Sequence, residues 1–153
     1  MNEASLTQLN EILREHEIVR EIIWQLERLV EEGGLVGQNV EWTQRLCNEL
    51  SAFYNHLERH FALEERDGYM LDVVAMQPEV SGQVEALRQQ HEQLLRMVKE
   101  LIRDGDMMAS GLDVSVVELR QRVQQVLSLI RQHETDENAL IQRVFYHPTT
   151  AVD

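Results

Sequence analysis

His56-Leu57-Glu58-Arg59-His60-Phe61-Ala62-Leu63-Glu64-Glu65 is the stretch from which the rest of the chain can be read. At about 100° per residue, His56, His60 and Glu64 form a row down one helix face, and Phe53 and Leu57 set that row among apolar neighbours. Two imidazoles and a carboxylate on such a face point into a core. An ionised carboxylate there must find a proton, a cation or several hydrogen-bond donors, because moving an unpaired charge into low dielectric is costly.

Composition sets the frame for that stretch. A chain of 153 residues, rich in Leu, Val and Ile and holding only seven Gly and two Pro, favours long helices packed around one core of ordinary size. Its formal net charge of −13, with no local basic patch, argues against nucleic acid and against an anionic membrane surface as partners. Cys47 is the only cysteine, so neither an internal disulfide nor a thiolate metal site can form. Met1 to Ser5 lacks the basic-then-apolar pattern of a signal peptide, and no run approaches the roughly 20 apolar residues of a membrane span. A cytoplasmic protein is the expectation.

Apolar residues recurring at three and four predict helices over roughly 5–32, 40–71, 78–104 and 115–146. Ser5 with Gln8, and Ser115 with Glu118, have capping-box spacing, while Gly33-Gly34 and Asp104-Gly105 read as stops. Asp67-Gly68 is a kink or a stop near the end of the second helix, with Tyr69 to Met76 apolar enough to pack as a continuation or an extra turn. Four such segments joined by short loops predict an all-α fold, an antiparallel up-down-up-down four-helix bundle forming one domain over residues 1–153.

The bundle brings the histidines together. His16, His60, His91 and His133 lie one in each helix, all roughly ten to thirteen residues from the end that holds the chain termini, or about 15 to 20 Å. One turn beyond two of them stand Glu64 and Glu137. Mutually buried polar groups in that number need a cation to organise them. Imidazole and carboxylate without thiolate suit iron, manganese or zinc, with iron favoured, and two carboxylates able to bridge suggest two ions. His56 reads as a ligand, a donor to a ligand or a bystander. Glu65, Glu134 and Asp136 read as parts of solvated faces, and His147 as a solvated tail residue.

Other metal chemistries fail on register. His16-Glu17, His91-Glu92 and His133-Glu134 each begin the zinc-protease string His-Glu-x-x-His, but none has His at the fifth place. Ferritin-like bundles carry Glu-x-x-His, whereas Leu13, Phe53, Leu57, Arg88 and Ile130 stand three before the helical histidines.

The order His, His-x-x-x-Glu, His, His-x-x-x-Glu along the four helices resembles the hemerythrin-like, or HHE cation-binding, family, from His16 to Glu137. The resemblance implies a non-haem di-iron centre bridged by two carboxylates and an oxo or hydroxo group. His16, His60, His91 and His133 would then be terminal ligands, with Glu64 and Glu137 as bridges. Oxygen-carrying members have a second histidine on the third helix, where this chain has Leu87 and Leu95 flanking His91. His56, one turn before His60, is the expected replacement, giving His16, His56 and His60 to one iron and His91 with His133 to the other. The sixth place on the second iron is expected to be lined by Leu87, Leu94, Ile130 and Leu140.

The expected function is binding of, or reaction with, a small oxidant, namely dioxygen, nitric oxide or peroxide, for storage, sensing or detoxification. A redox or signalling partner protein would read or supply the centre. The competing readings are an iron-handling or iron-sulfur cluster repair protein and a bundle whose metal is purely structural.

Overall fold

The computed structural model describes residues 3–35, 40–66, 69–111 and 115–146, and among them every regular element is helical. Helix α1 spans Glu3–Leu35, α2 Val40–Arg66, α3 Tyr69–Met76, α4 Ser81–Ala109 and α5 Val116–Ile141. A 3-10 turn, Pro78–Val80, leads into α4, and a π-helical turn, Gln142–Tyr146, extends α5. The long helices pack as a square in chain order: α2 lies against α1 and α4, and α5 lies against α4 and α1. This is the antiparallel four-helix bundle that the apolar period demands. None of the described helices is long and apolar enough to cross a membrane.

Several boundaries differ from expectation, and packing explains two of them. Gly33 does not stop α1. A Cβ there would fall 2.1 Å from Cε2 of Trp42, whose indole N–H donates to the carbonyl of Leu29 at 2.8 Å, so the glycine is the gap that admits the ring. Gly105 likewise stays inside α4, where a Cβ would meet Sγ of Cys47 at 2.4 Å. The helix ends instead at Gly111, whose φ of 86° only glycine adopts without strain, with its N–H bonded to the Met108 carbonyl at 3.0 Å. Ser5 falls inside α1, which begins at Glu3, whereas Ser115 caps α5, accepting from the Glu118 N–H at 3.3 Å. The second helix stops at Arg66 rather than reaching Leu71, and Tyr69–Met76 forms its own short helix against α1, α2 and α4. Asp67-Gly68 and His147 lie outside the described residues.

Two apolar clusters fill the bundle. One joins Val19, Ile23, Leu26, Leu46, Leu50, Phe53, Leu94, Val98, Val123 and Leu127. The other joins Leu9, Ile12, Tyr69, Met70, Val84, Leu87, Leu140 and Ile141 near the end closed by α3. Between them, in register, α1 passes from Ile12 through His16 to Val19, α4 from Leu87 through His91 to Leu94, and α5 from Ile130 to Leu140 through three acidic or imidazole side chains. The polar layer is therefore a slice across the core.

Candidate metal centre

Seven ionisable side chains meet in that slice: His16, His60, Glu64, His91, His133, Glu134 and Glu137, all essentially without solvent contact. They fall into two overlapping sets. One ligating atom each from His16, His60, Glu64, Glu134 and Glu137 lie within 4.8 Å of one another, and so do atoms of Glu64, His91, His133 and Glu137. Glu64 and Glu137 belong to both sets. Oε2 of Glu64 is 2.9 Å from Nε2 of His16, and its Oε1 is 3.2 Å from Nε2 of His91. Oε1 of Glu137 is 3.2 Å from Nε2 of His133 and 3.4 Å from Nε2 of His16. Each shared carboxylate thus reaches toward imidazoles of both sets.

Outer contacts orient the rings. Nδ1 of His16 donates to Oδ1 of Asn138 at 2.6 Å, that of His91 to Glu65 at 2.7 Å, and that of His133 to Oε1 of Gln90 at 2.7 Å. With Nδ1 carrying the proton, Nε2 keeps its lone pair for the interior, the arrangement that metal-binding imidazoles need. Opposite the histidines, the phenol of Tyr69 donates to Oε2 of Glu137 at 2.6 Å.

Electrostatics shows what the slice can hold. Burial opposes protonation of His16 and His91, yet hydrogen bonds with Glu137 and Glu64 outweigh it and carry the two up to about 11 and about 10. Burial also works against ionising Glu137, but hydrogen bonds from His133, His16 and His91 hold it well below the usual carboxylate range. Glu134 is pushed up to about 8, chiefly by burial, and Glu64 is pushed up by burial and by the charge of Glu137. Burial lowers His60. A cation at Nε2 of His16 or His91 would compete with a proton for the same lone pair. Even so, both ring nitrogens of His60 and both carboxylate oxygens of Glu134 find no hydrogen-bond partner. Buried polar atoms are rarely left in that state, and lone pairs converging from seven side chains fit one or two cations that take nitrogen and oxygen ligands.

Six of the expected site residues are brought together, and His56 is not. Its imidazole is turned to the α1–α2 seam, where Nε2 lies 3.3 Å from Oε2 of Glu15, and a fifth of the side chain remains exposed. The reason is helical drift. Four residues advance about 40° past a full turn, so the inward row of α2 steps by four and three through Phe53, Leu57, His60 and Glu64, leaving His56 beside it.

The fifth member of the first set is instead Glu134, expected on a solvated face but only 1 % exposed, with Oε2 at 3.0 Å from Nε2 of His16 and Oε1 at 3.6 Å from Nε2 of His60. Its signal was the spacing to Glu137, three residues on and on the same face. Glu65, also expected on a solvated face, is half-buried against His91, while Asp136 is exposed. Leu87 and Leu140 pack in one apolar cluster, and Leu94 and Ile130 in the other, so the four expected lining residues flank the slice from both sides.

The hemerythrin HHE cation-binding domain model matches residues 7–145. No curated protein and no solved structure matches the chain.

Proposed function

Since the chain belongs to the hemerythrin HHE cation-binding family, we propose that it holds two non-haem iron ions and uses them to bind or reduce a small oxidant such as dioxygen, nitric oxide or peroxide. The observation that carries this reading is the sharing of Glu64 and Glu137 by two donor sets. One position would be served by His16, His60 and Glu134, the other by His91 and His133, with both shared carboxylates as bridges. Three carboxylates offset most of the charge of two divalent ions, which suits a buried pair better than a lone ion.

Iron bound there would supply electrons and a coordination place for the oxidant. The chain's own residues do the rest. Asn138, Glu65 and Gln90 fix three imidazoles by their Nδ1 protons, and Tyr69 holds a proton against Glu137 at the wall of the site. The apolar clusters on either side exclude bulk water and hydrated ions while admitting an uncharged diatomic molecule. Cys47, the only cysteine, is buried and its thiol is pushed up to about 11 by burial and by Asp106. A thiol in that state is a poor nucleophile, which favours the oxidant reading over thiol-dependent cluster repair.

Anaerobic titration with ferrous iron, followed by metal analysis, should give about two ions per chain, and fewer in Glu64→Ala and Glu137→Ala. Mixing the loaded protein with oxygen, nitric oxide and peroxide in a stopped-flow spectrometer should change its absorption with at least one of them. Full occupancy in both variants would refute the bridging roles. A loaded protein indifferent to all three oxidants would leave a structural metal as the better reading.

A further inference from the structure

On the reading of two metal positions, the protein donors are unequally shared: His16, His60 and Glu134 serve one, and only His91 and His133 serve the other, beside the common Glu64 and Glu137. The poorer position is made by α4 and α5, and the seam between those helices carries a groove of about 360 Å³. Its walls include Ala86, Leu87 and Gln90 from α4 and Ala139, Leu140 and Arg143 from α5. Leu87 stands one turn before His91, and Leu140 three residues after Glu137. Gln90 belongs to both places. It lines the groove, and its Oε1 accepts the Nδ1 proton of His133.

We propose that this groove is the port by which dioxygen reaches the second metal position, and that Gln90 is its inner gate. The proposal rests on the di-metal reading above. At the outer side Ala86 and Ala139 are small and exposed, while the buried Leu87 and Leu140 give the inner wall an apolar surface. An uncharged diatomic gives up little hydration on such a wall, whereas an anion gives up much. The charges of Asp136 and Arg143 oppose each other along the groove, so it presents no single-sign field to draw in a charged substrate. A groove of about 360 Å³ has ample room for a diatomic molecule with the backbone as it stands. Rotation of the half-buried Gln90 then opens the last step, and the same rotation frees Nδ1 of His133. Opening the port and loosening one metal ligand are a single event.

Two measurements test this. In the metal-free protein, dissolved dioxygen should enhance the nuclear relaxation of the methyl groups of Ala86, Leu87, Ala139 and Leu140 several-fold over those of Leu26 and Leu46, and Ala86→Trp should abolish the excess. In the iron-loaded protein, Ala86→Trp should slow the bimolecular reaction with dioxygen about tenfold at unchanged iron content. Lys99→Trp, in a separate groove on α4, should leave that rate as it was. Gln90→Ala should raise the rate and speed iron loss to a chelator together. Equal relaxation at groove and core methyls, or an oxygen rate that Ala86→Trp does not alter, would overturn the port. A protein that took up no iron would sink the proposed function instead, and the relaxation measurement would still decide the groove.

Discussion

Tyr69 and Glu137, 68 residues apart in the chain, meet in the core with the phenol oxygen 2.6 Å from Oε2 of the carboxylate. Burial and the neighbouring charge of Glu137 raise the phenol well above its ordinary range, so it remains a donor throughout the working pH of any protein.

Tyr69→Phe removes that donor from an ionised, buried acceptor, which should destabilise the metal-free protein by about 1.5 to 3 kcal/mol in urea unfolding. A loss under about 0.5 kcal/mol would mean that Glu137 finds another donor at no cost.

Glu134→Gln separates stability from metal binding. Because the folded state raises this carboxyl from 4.5 to about 8, its proton is held more tightly folded than unfolded, and stability from this group falls as pH rises between those values. The amide, which cannot ionise, should therefore leave the metal-free melting temperature at pH 7 unchanged or higher. The iron content should fall to about one per chain. A variant that melted lower without metal and still bound two ions would contradict both halves.

Iron uptake should release protons. His16 and His91, raised to about 11 and about 10, are protonated in the metal-free protein at neutral pH and must lose those protons to become ligands. Calorimetry in buffers of different ionisation enthalpy should count at least two protons released at pH 8, those of His16 and His91 with a further share from Glu134, and apparent affinity should rise as pH rises toward 10. Uptake without proton release would show that the two imidazoles are already neutral.

His56→Ala should keep full iron content, since the imidazole lies against Glu15 outside both donor sets, and should cost about 1 kcal/mol or less, as loss of a partly exposed polar contact does. Loss of an ion on this substitution, measured by metal analysis, would restore His56 as a ligand.

Gly33→Ala tests the contact that lets α1 run on. Helix propensity alone would favour alanine by about 1 kcal/mol, but the new methyl would overlap the Trp42 ring, and overpacking of this kind costs about 1 to 3 kcal/mol. A lower melting temperature is expected, with the loss relieved when Trp42 is replaced by Leu. A gain in the single variant would show that the ring yields freely.

Much of this arrangement was legible because helical periodicity converts spacing into direction. Four histidines at one height, with Glu64 and Glu137 a turn beyond two of them, needed only the rise per residue and the assumption of antiparallel neighbours. What stayed hidden did so for stated geometric reasons. On α5 the buried stripe is two residues wide and repeats every seven, as Val126 with Leu127, His133 with Glu134, and Leu140 with Ile141. Following a single row left Glu134 on the outside. The choice of His56 rested on steps of four, where the core of α2 alternates four and three. Tyr69 comes from a helix laid across the end of the bundle, and no local pattern ties it to Glu137. Gly33 and Gly105 looked like stops because their role depends on Trp42 and Cys47, on another helix.

The slice of charge between the two apolar clusters leaves two half-cores, one drawing buried residues from all four long helices and the other from α1, α3, α4 and α5, with ionisable groups packed between them. Unpartnered polar atoms in that slice join the halves weakly, and cations there would draw them together. Amide hydrogen exchange should thus resolve two cooperative units without iron, the one containing Leu46 and Val98 outlasting the one containing Tyr69 and Leu140. With iron bound, both should exchange at one slow rate, the bundle then opening only as a whole.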